Sequence, residues 1–236
     1  MMLGFISDAH GNYIGLKKCI DFLKKNGAEK IIFLGDAVGY FPNPNEVLNL
    51  LIAENIICLL GNHDAMLIGQ LDLDDQLDKI YKIYETKKII DNNCFSVISS
   101  WLPFSRIEIN SKRILCLHGS PWNPVNGYIY PNSDLANFSY LDCDFVFMGH
   151  THLPFIKKVG NITVVNVGSC GLPRDQGNLL SCVLHNIGQG KVEIFRVLLD
   201  TDFIIKKYEA IVHENVLNCM KRRTKENLII GKVISG

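Results

Sequence analysis

Hydrophobic and polar residues alternate with two different periods over the first 65 positions. Three short apolar runs, at 3–6, 30–34 and 56–60, are typical of buried strands. Between the first two runs, apolar side chains recur at helical spacing over 16–23, and Gly27 is placed to end that helix. This order of strand, helix and strand predicts parallel strands joined by crossover helices.

A second helix is predicted between the strands at 30–34 and 56–60. Asn43 is a favourable N-cap, Pro44 suits the first helical position, and Glu46 lies three residues after the cap. This spacing resembles a capping box, in which two side chains bond each other's backbone amides. The first 65 residues therefore have a βαβαβ pattern.

Beyond residue 65 the pattern becomes helical and then returns to strands. Residues 66–110 carry an apolar helical face, and a further helix is predicted at 94–101. Apolar runs then predict five strands, at 113–117, 145–148, 162–166, 179–184 and 192–199. Residues 188–190 have the composition of a hairpin turn. A helix at 203–222 and a weak strand at 228–233 complete the pattern.

These elements predict an α/β fold, an α+β sandwich in which helices flank two packed mixed β-sheets. We expect one domain over 1–236, because the chain contains no internal repeat, low-complexity tract or linker. The helical stretch at about 66–110 is the best candidate for an embedded cap. The helix at about 203–222 is expected to close the domain.

The composition is that of an ordinary globular core. Hydrophobic residues make up 47% of the 236 positions and charged residues 20%, whereas intrinsic disorder requires low hydrophobicity and high net charge. Lys+Arg and Asp+Glu each number 24, and this balance argues against gripping duplex nucleic acid or an anionic membrane as the main task. The sequence has neither the apolar run of a membrane span nor the basic, apolar pattern of a signal peptide.

The eight cysteines indicate a reducing compartment. They never form a C-x-x-C pair, and several lie in apolar runs, as Cys58 does in the predicted strand at 56–60. We interpret them as reduced core residues of a cytoplasmic protein, and as neither a disulfide framework nor a zinc knuckle.

Five of the seven histidines lie in short glycine-containing turns that directly follow predicted strands. These turns contain Asp8 and His10, Asp36, Asn62 and His63, His118, and His150 and His152. Loops at the carboxyl ends of strands in an α/β sheet converge on one crevice, so these side chains are expected to meet. Each turn alone has an ordinary structural explanation, since Asp and Gly are common turn formers. All five together, in order and each after a strand, indicate a site, whereas His185 and His213 are expected to be surface or structural residues.

The residue types in these turns indicate a metal site. Asp, His and Asn offer hard oxygen and borderline nitrogen donors, which suit Mn²⁺, Fe, Zn²⁺, Co²⁺ or Ni²⁺. A structural zinc site would favour thiolates, which these turns do not supply. In a turn, His150 and His152 can face two different metals. Asp36 is the only acid of its turn and is suited to bridge two cations.

The ordered motifs D-x-H, G-D, G-N-H-D, H-G and G-H-x-H resemble the calcineurin-like metallophosphoesterase superfamily, over about residues 1–175. The segments at 35–46, 118–121 and 168–175 are similar to those of its small bacterial and archaeal phosphodiesterases. The resemblance implies a four-layer fold and metal-dependent hydrolysis of phosphodiester, phosphomonoester or pyrophosphate bonds, with phosphodiesters favoured. It also implies two divalent metal ions as cofactors, with manganese as the first candidate.

The resemblance also assigns roles to the residues of these turns. It implies one metal on Asp8, His10 and His152, a second on Asn62, His118 and His150, and Asp36 as the bridge. A hydroxide bridging the metals would attack phosphorus in line. His63 would be the acid for the leaving group, or a donor that stabilises the phosphorane-like charge, and Asn62 would also orient a phosphate oxygen. Asn12 and Arg174 are candidate substrate contacts, and for Arg174 a salt bridge with Asp175 is an equal alternative.

One position departs from the protein phosphatases of this superfamily. They carry an aspartate three residues after the bridging aspartate, where this chain has Gly39. His63 is therefore expected to lack an orienting carboxylate, and Asp64 need not replace it. Substrates with good leaving groups, such as aryl diesters or phosphoanhydrides, would depend less on an oriented acid than phosphoprotein monoesters would.

Two other functions are compatible with the same fold. A nuclease would carry a basic face or a longer recognition domain, and the neutral charge weakens that hypothesis. A non-catalytic interaction scaffold would be expected to lose metal ligands or the acid, yet all of these residues are present. The expected partner is a small phosphorylated substrate, for which a nucleotide is one candidate. A homodimer is common among relatives and is expected here on that ground alone.

Selectivity for the substrate is expected to lie in three segments around the predicted centre. They are the stretch at 66–110, the loop at 122–134 and the C-terminal helix. Several aromatic residues of this region could stack on a nucleobase, although half-buried packing is their more common role. These are Tyr40, Phe41, Trp122, Tyr128 and Tyr130.

Overall fold

The computed structural model describes residues 1–225 and 229–234. Within these residues the strands are β1 (Met2–Ile6), β2 (Lys30–Phe33), β3 (Ile57–Cys58), β4 (Phe104–Ile109), β5 (Lys112–Leu117), β6 (Phe145–Met148), β7 (Phe155–Val159), β8 (Ile162–Asn166), β9 (Leu179–Asn186), β10 (Lys191–Leu198) and β11 (Lys232–Ile234). The helices are α1 (Tyr13–Lys25), α2 (Pro44–Ala53), α3 (Asn62–Leu67), α4 (Asp75–Tyr81), α5 (Ile83–Ile89), α6 (Asn92–Ser99), α7 (Thr201–Tyr208) and α8 (Glu214–Lys221), with a 3-10 helix at Ala136–Tyr140. None of the helices in this part of the chain combines the length and the apolar character that crossing a membrane requires.

The first sheet has the strand order β11-β10-β9-β1-β2-β3. β1, β2 and β3 are parallel neighbours, as the βαβαβ pattern predicts. The crossover helices α1 and α2 return the chain to the end of the sheet at which the previous strand began. β9 pairs antiparallel with both β1 and β10. The turn between β9 and β10 coincides with the predicted hairpin at 188–190.

The second sheet has the strand order β4-β5-β6-β8-β7. Its central strands β5, β6 and β8 are parallel, and the edge strands β4 and β7 pair antiparallel with their neighbours. Both sheets are therefore mixed. β4 and β7 are absent from the sequence-based prediction.

The two sheets pack face to face over an apolar layer. At its centre Phe5 of β1 stacks on Phe147 of β6, with ring centroids 3.8 Å apart. A larger apolar cluster lies between the first sheet and the α-helices. The outer face of the second sheet is covered by the 3-10 helix, whose Phe138 is fully buried. The predicted α/β sandwich of two mixed sheets flanked by helices is confirmed.

The segment at 66–110 is less uniformly helical than predicted. Four short helices, α3 to α6, lie within residues 62–99 and are separated by short non-helical stretches. Residues 104–109 form the strand β4. Leu67, Ile83 and Ile98 from these helices are buried in the same apolar cluster as α1 and α2. The segment is thus integrated into the core, and the backbone N–H of Tyr40 donates to the carbonyl of Tyr81 at its inner edge (2.6 Å).

The C-terminal segment also differs from the prediction. The single helix expected at 203–222 is two helices, α7 and α8, and the side chain of His213 caps α8 by accepting from the N–H of Asn215 at 3.2 Å. The strand predicted at 228–233 begins at a position outside the described residues. Within the described residues the strand is β11, which begins only at Lys232, ends at Ile234 and pairs parallel with β10.

Asn43 begins α2, but the predicted capping box does not form. Its side chain donates to Glu46 Oε1 (3.0 Å) and accepts from the hydroxyl of Tyr208 (2.6 Å), and it makes no hydrogen bond to the helix backbone. The competing partner from α7 is a tertiary contact that local spacing cannot reveal.

Candidate metal centre

The five predicted turns, four of which carry histidine, meet at one end of the sandwich, as the motif order predicts. Of the described residues other than glycine, ten have a positive φ angle. Six of the ten belong to these turns, with φ between 50° and 67°: Asp8, His10, Asp36, Tyr40, His150 and His152. Such left-handed conformations cost free energy in residues with a Cβ atom, and they concentrate where the surrounding structure over-determines the backbone.

A first donor cluster consists of Asp8, His10 and His152, all of which are buried. Asp8 Oδ1 lies 3.3 Å from His152 Nε2 and 3.8 Å from His10 Nε2. The two Nε2 atoms are 3.0 Å apart. Three potential ligand atoms therefore converge on one point.

A second donor cluster consists of Asp36, His118 and His150. His118 Nε2 lies 3.4 Å from Asp36 Oδ2 and 3.2 Å from His150 Nδ1. Asn62 Oδ1 is 3.1 Å from the same nitrogen and adds an oxygen donor. Asp36 Oδ2 also lies 3.6 Å from His10 Nε2, so this carboxylate adjoins both clusters.

Backbone carbonyls orient three of the histidine rings. The Nδ1 atoms of His10, His118 and His152 lie 3.1, 2.9 and 2.5 Å from the carbonyl oxygens of Val38, Leu34 and Leu172. An Nδ1–H that donates to a carbonyl leaves Nε2 as the nitrogen with a free lone pair. All three lone pairs therefore face the donor clusters.

Burial and charge at the centre oppose each other. Burial favours protonation of Asp36 and Asp8, but the neighbouring histidines hold the pKa of both carboxyls below the usual range. Burial alone would lower the pKa of His118, yet the two carboxylates raise it to about 9. Burial and the adjacent His118 lower the pKa of His150 to about 3. The centre thus holds two ionised carboxylates beside a protonated His118, and a metal ion bound at His118 Nε2 would displace that proton.

The donor set fits divalent transition metals. Among the described residues, Asp8 Oδ1 is buried and has no hydrogen-bond partner, which is the condition of an atom placed to bind a cation. Carboxylate, imidazole and amide donors suit Mn²⁺, Fe²⁺, Co²⁺, Ni²⁺ or Zn²⁺. Cys170 lies in a neighbouring turn, but its thiol is buried and its pKa is raised by that burial, so it fills the turn as a neutral group.

His63 lies beside both clusters and lacks a carboxylate partner, as predicted from Gly39. Its Nδ1 is buried and has no hydrogen-bond partner among the described residues. A Cβ atom at Gly39 would overlap this nitrogen. The ring packs against His10 and Tyr81 with centroid distances of 4.5 and 4.4 Å, and burial lowers its pKa to about 4.

Asp64 supports the turn that carries Asp36. It does not supply the orienting carboxylate that His63 lacks. Its carboxylate accepts from the N–H groups of Asp36, Ala37 and Gly61 at 2.7, 2.9 and 3.1 Å. Asp36 Oδ1 in turn accepts from the N–H of His63 at 2.8 Å. The G-D and G-N-H-D turns are therefore locked together.

The two predicted substrate contacts have different environments. Arg174 is half-buried, lines the cleft and donates to the hydroxyl of Tyr40 at 3.3 Å. The alternative salt bridge to Asp175 is wrong, because Asp175 pairs with the buried Arg196 of β10 (2.8 Å between Nη2 and Oδ1). Asn12 begins α1 by accepting from Gly15 N–H and donates to the Gly171 carbonyl, at 3.0 and 2.8 Å. Its buried amide is fully engaged in the fold, and nothing in the structure supports substrate contact there.

Several residues at the centre escaped the sequence prediction. Tyr81 from α4 lines the cleft beside Tyr40 and His63. Ser169 accepts from the N–H groups of Gly171 and Leu172 and donates to the Asp8 carbonyl, at 3.1, 2.6 and 2.7 Å. Its position in a glycine-containing segment after a strand was the available signal. Phe41, predicted as a stacking candidate, is buried in the core and cannot stack on a substrate.

Fold and donor set together define the class of metallophosphoesterases. Residues 1–190 match the model of the calcineurin-like phosphoesterase superfamily domain, and the chain belongs to that superfamily.

Similarity to individual proteins extends over nearly the whole chain. An uncharacterized protein of Methanocaldococcus jannaschii is 32% identical in an alignment 251 positions long that covers 98% of both chains. A phosphodiesterase of the same archaeon is 28% identical over 171 residues, which cover 72% of this chain and 84% of the relative. The crystal structure of a metallophosphoesterase from Sphaerobacter thermophilus superposes with a TM-score of 0.78 at 26% identity and covers 94% of this chain and 98% of that one.

Proposed function

We propose that this protein is a phosphodiesterase that works with two divalent metal ions. The position of Asp36 carries the proposal, since its Oδ2 lies 3.6 Å from His10 Nε2 in one donor cluster and 3.4 Å from His118 Nε2 in the other. A carboxylate shared by two clusters suits a pair of cations, which would otherwise repel each other at close range. Family membership and the similar phosphodiesterase support the hydrolysis of a phosphate ester.

The proposed ligands divide as the motifs imply. Asp8, His10 and His152 would hold one ion, Asn62, His118 and His150 the other, and Asp36 both. Bound cations of this kind supply Lewis acidity and a nucleophilic water at neutral pH. The protein itself holds the donors in place. It does so through histidine rings oriented by backbone carbonyls and through the interlocked turns around Asp64.

His63 is the proposed proton donor to the leaving group, a role for which the negative charge of a bound phosphate must raise its pKa from about 4. It adjoins Asp36 and lines the cleft, but its Nδ1 has no carboxylate partner, and its orientation depends on packing against Tyr40 and Tyr81. An acid without such a partner is less strongly assisted. The arrangement therefore favours diesters with good leaving groups over alkyl phosphomonoesters.

Arg174 is the proposed contact for a non-bridging phosphate oxygen. Its guanidinium lies beside the Tyr40 hydroxyl on the same cleft as His63 and His152. A guanidinium binds phosphate oxygens through charge-assisted hydrogen bonds of fixed geometry. The turn that carries it is anchored by the Asp175–Arg196 pair and by Arg222, which donates to the Arg174 carbonyl at 2.5 Å.

The proposal is tested by comparing bis-p-nitrophenyl phosphate with p-nitrophenyl phosphate on chelator-stripped protein, with and without Mn²⁺. We expect Mn²⁺ to restore hydrolysis, the diester to be cleaved faster, and Asp36→Asn to lower the rate about 100-fold or more. Asp21→Asn, which alters an exposed carboxylate on α1, is the matched control and should retain activity. Protein that binds no metal and cleaves neither ester would overturn the proposal and favour a scaffold.

Manganese as the native metal, a cytoplasmic location and a homodimer stay predictions. All eight cysteines are free, and most of them are buried. That state suits a reducing compartment such as the cytoplasm.

A further inference from the structure

Two tyrosines form an exposed aromatic surface at the mouth of the cleft. The rings of Tyr128 and Tyr130 are stacked, with centroids 5.9 Å apart and an interplanar angle of 14°. Tyr128 is 49% exposed and Tyr130 40%, whereas Ile129 between them is buried. The sequence of exposed, buried and exposed side chains places both tyrosine rings on the solvent side of the loop. We call this pair the tyrosine platform.

The tyrosine platform is continuous with the metal centre. The Tyr128 ring lies against the ring of His150, with centroids 4.0 Å apart. Tyr128 also lines the cleft together with Tyr81 and Arg174. When a phosphate is held at the metal centre, a substituent on its phosphorus atom can therefore extend out of the cleft beside the two tyrosine rings.

The loop beneath the platform is tied to the metal centre by backbone hydrogen bonds. The N–H groups of His118 and Gly119 both donate to the carbonyl of Pro124, at 3.1 and 2.6 Å. Further along, Tyr130 N–H donates to Ser133 Oγ at 2.9 Å, and Ser133 N–H donates back to the Tyr130 carbonyl at 3.0 Å. The backbone that carries the two rings is thus held in place before a ligand arrives, which lowers the entropic cost of binding on them.

Resting on the proposed function, we propose that the substrate is a phosphodiester with a planar aromatic substituent, a nucleobase or an aryl group, that stacks on the tyrosine platform. The two nearly parallel rings are each at least 40% exposed and leave apolar surface in water, which a planar ring stacked against them would cover. Stacking tolerates any planar ring because it uses the π-face and not a hydrogen-bond pattern. The platform is only two rings wide and touches a metal ligand, so it fits a substituent of the reacting phosphate better than a separate macromolecule.

Three diesters with one leaving group test this inference. They are the methyl, phenyl and thymidin-5′-yl esters of p-nitrophenyl phosphate, and the release of p-nitrophenolate is measured for each. We expect kcat/KM to be about tenfold higher for an aromatic ester than for the methyl ester, mainly through KM. Tyr128→Leu keeps apolar bulk but removes the π-face and should bring this ratio close to one. Tyr140→Leu replaces a tyrosine that is 86% exposed on the 3-10 helix and should leave the ratio unchanged.

The ratio separates this inference from a general loss of activity, since a misfolded fraction lowers the rates of all three esters equally. A ratio of aromatic-ester to methyl-ester kcat/KM near one in the unaltered protein would overturn the proposal that the substrate stacks on the tyrosine platform. So would a ratio that is unchanged by Tyr128→Leu. Failure to cleave any of the three esters would instead contradict the proposed function. A preference for the thymidinyl over the phenyl ester would assign the platform to a nucleoside, and the reverse to a small aryl group.

Discussion

At the residue scale, the metal centre depends on backbone conformation as much as on side-chain identity. Asp8, His10 and Asp36 have φ angles of 57°, 50° and 61°, a region that residues other than glycine rarely adopt. The carbonyls that orient the imidazoles come from residues beside these same turns, such as Leu34 and Val38. A change that relaxes one turn would therefore displace both a ligand and the group that orients another ligand.

Gly39 offers a test of how closely one turn fits the proposed acid. Its φ is 93°, and a Cβ atom there would overlap His63 Nδ1. Gly27 has a similar φ of 84°, but a Cβ atom there would meet nothing within 4 Å. Alanine at either position incurs the left-handed penalty of about 1–2 kcal/mol. Only Gly39→Ala must also move His63, and we expect it to lower kcat by about 100-fold.

Hydrolysis of bis-p-nitrophenyl phosphate and the thermal midpoint of unfolding check this prediction together. Gly27→Ala should lose some stability and keep its kcat. Equal kcat values in the two variants would show that the position of His63 does not matter to the reaction.

At the element scale, the interior strands could be predicted and two edge strands could not. β6 is a continuous buried run and was found with its exact bounds, Phe145–Met148. β7 includes the exposed Lys157 and Lys158, and β4 alternates between exposed and half-buried side chains. Both lie at the edges of the second sheet, where polar residues prevent pairing with further chains. An edge strand of this kind lacks the apolar run on which sequence-based prediction relies.

A similar contrast separates the predicted site residues from those that were missed. Each predicted ligand lies in a turn after a strand that an apolar run predicts, so chain order alone brings the ligands together. Tyr81 reaches the centre because α4 packs against the turn at Tyr40, through a backbone hydrogen bond of 2.6 Å. That contact depends on tertiary packing of a segment whose sequence shows only an apolar helical face.

His185 of β9 provides a prediction about packing between the sheets. Its ring is buried against Phe145 and Phe147 of β6, with centroid distances of 4.3 and 5.6 Å, and neither ring nitrogen has a hydrogen-bond partner in the described structure. Burial lowers its pKa from 6.5 to about 4. Because the folded-state pKa lies below the unfolded one, stability is fully present above pH 6.5 and falls as the pH drops toward 4. The loss is on the order of 2 kcal/mol.

Urea unfolding at pH 7 and pH 5 measures this effect. His185→Leu should reduce the loss of stability between the two pH values, since the variant has no proton to bind in the unfolded state at this position. His213→Asn replaces a histidine outside the packing between the sheets and keeps an N-cap for α8, and it should retain most of the loss. An unchanged pH dependence in His185→Leu would contradict the assignment.

At the scale of the whole molecule, the centre exists only where the two sheets meet. Asp8, Asp36 and Asn62 follow strands of the first sheet, whereas His118, His150 and His152 follow strands of the second. Each cluster of the proposed centre draws on both sheets: the first cluster combines Asp8 with His152, and the second combines Asp36 with His118. The Phe5–Phe147 stack between the sheets thus helps to hold the two halves of the centre in register.

The most direct test of the central claim is the number of Mn²⁺ ions bound per chain, measured by titration of chelator-stripped protein. We predict two ions for the unaltered protein, fewer than two for Asp36→Asn, and two for His63→Ala with a rate at least about 100-fold lower. The His63 variant matters because a ring nitrogen of His63 also lies within 4.8 Å of potential ligand atoms of His10 and Asp36, so His63 could itself bind a metal ion. A single ion in the unaltered protein, or the loss of an ion in His63→Ala, would contradict a two-metal centre bridged by Asp36 with His63 as its acid.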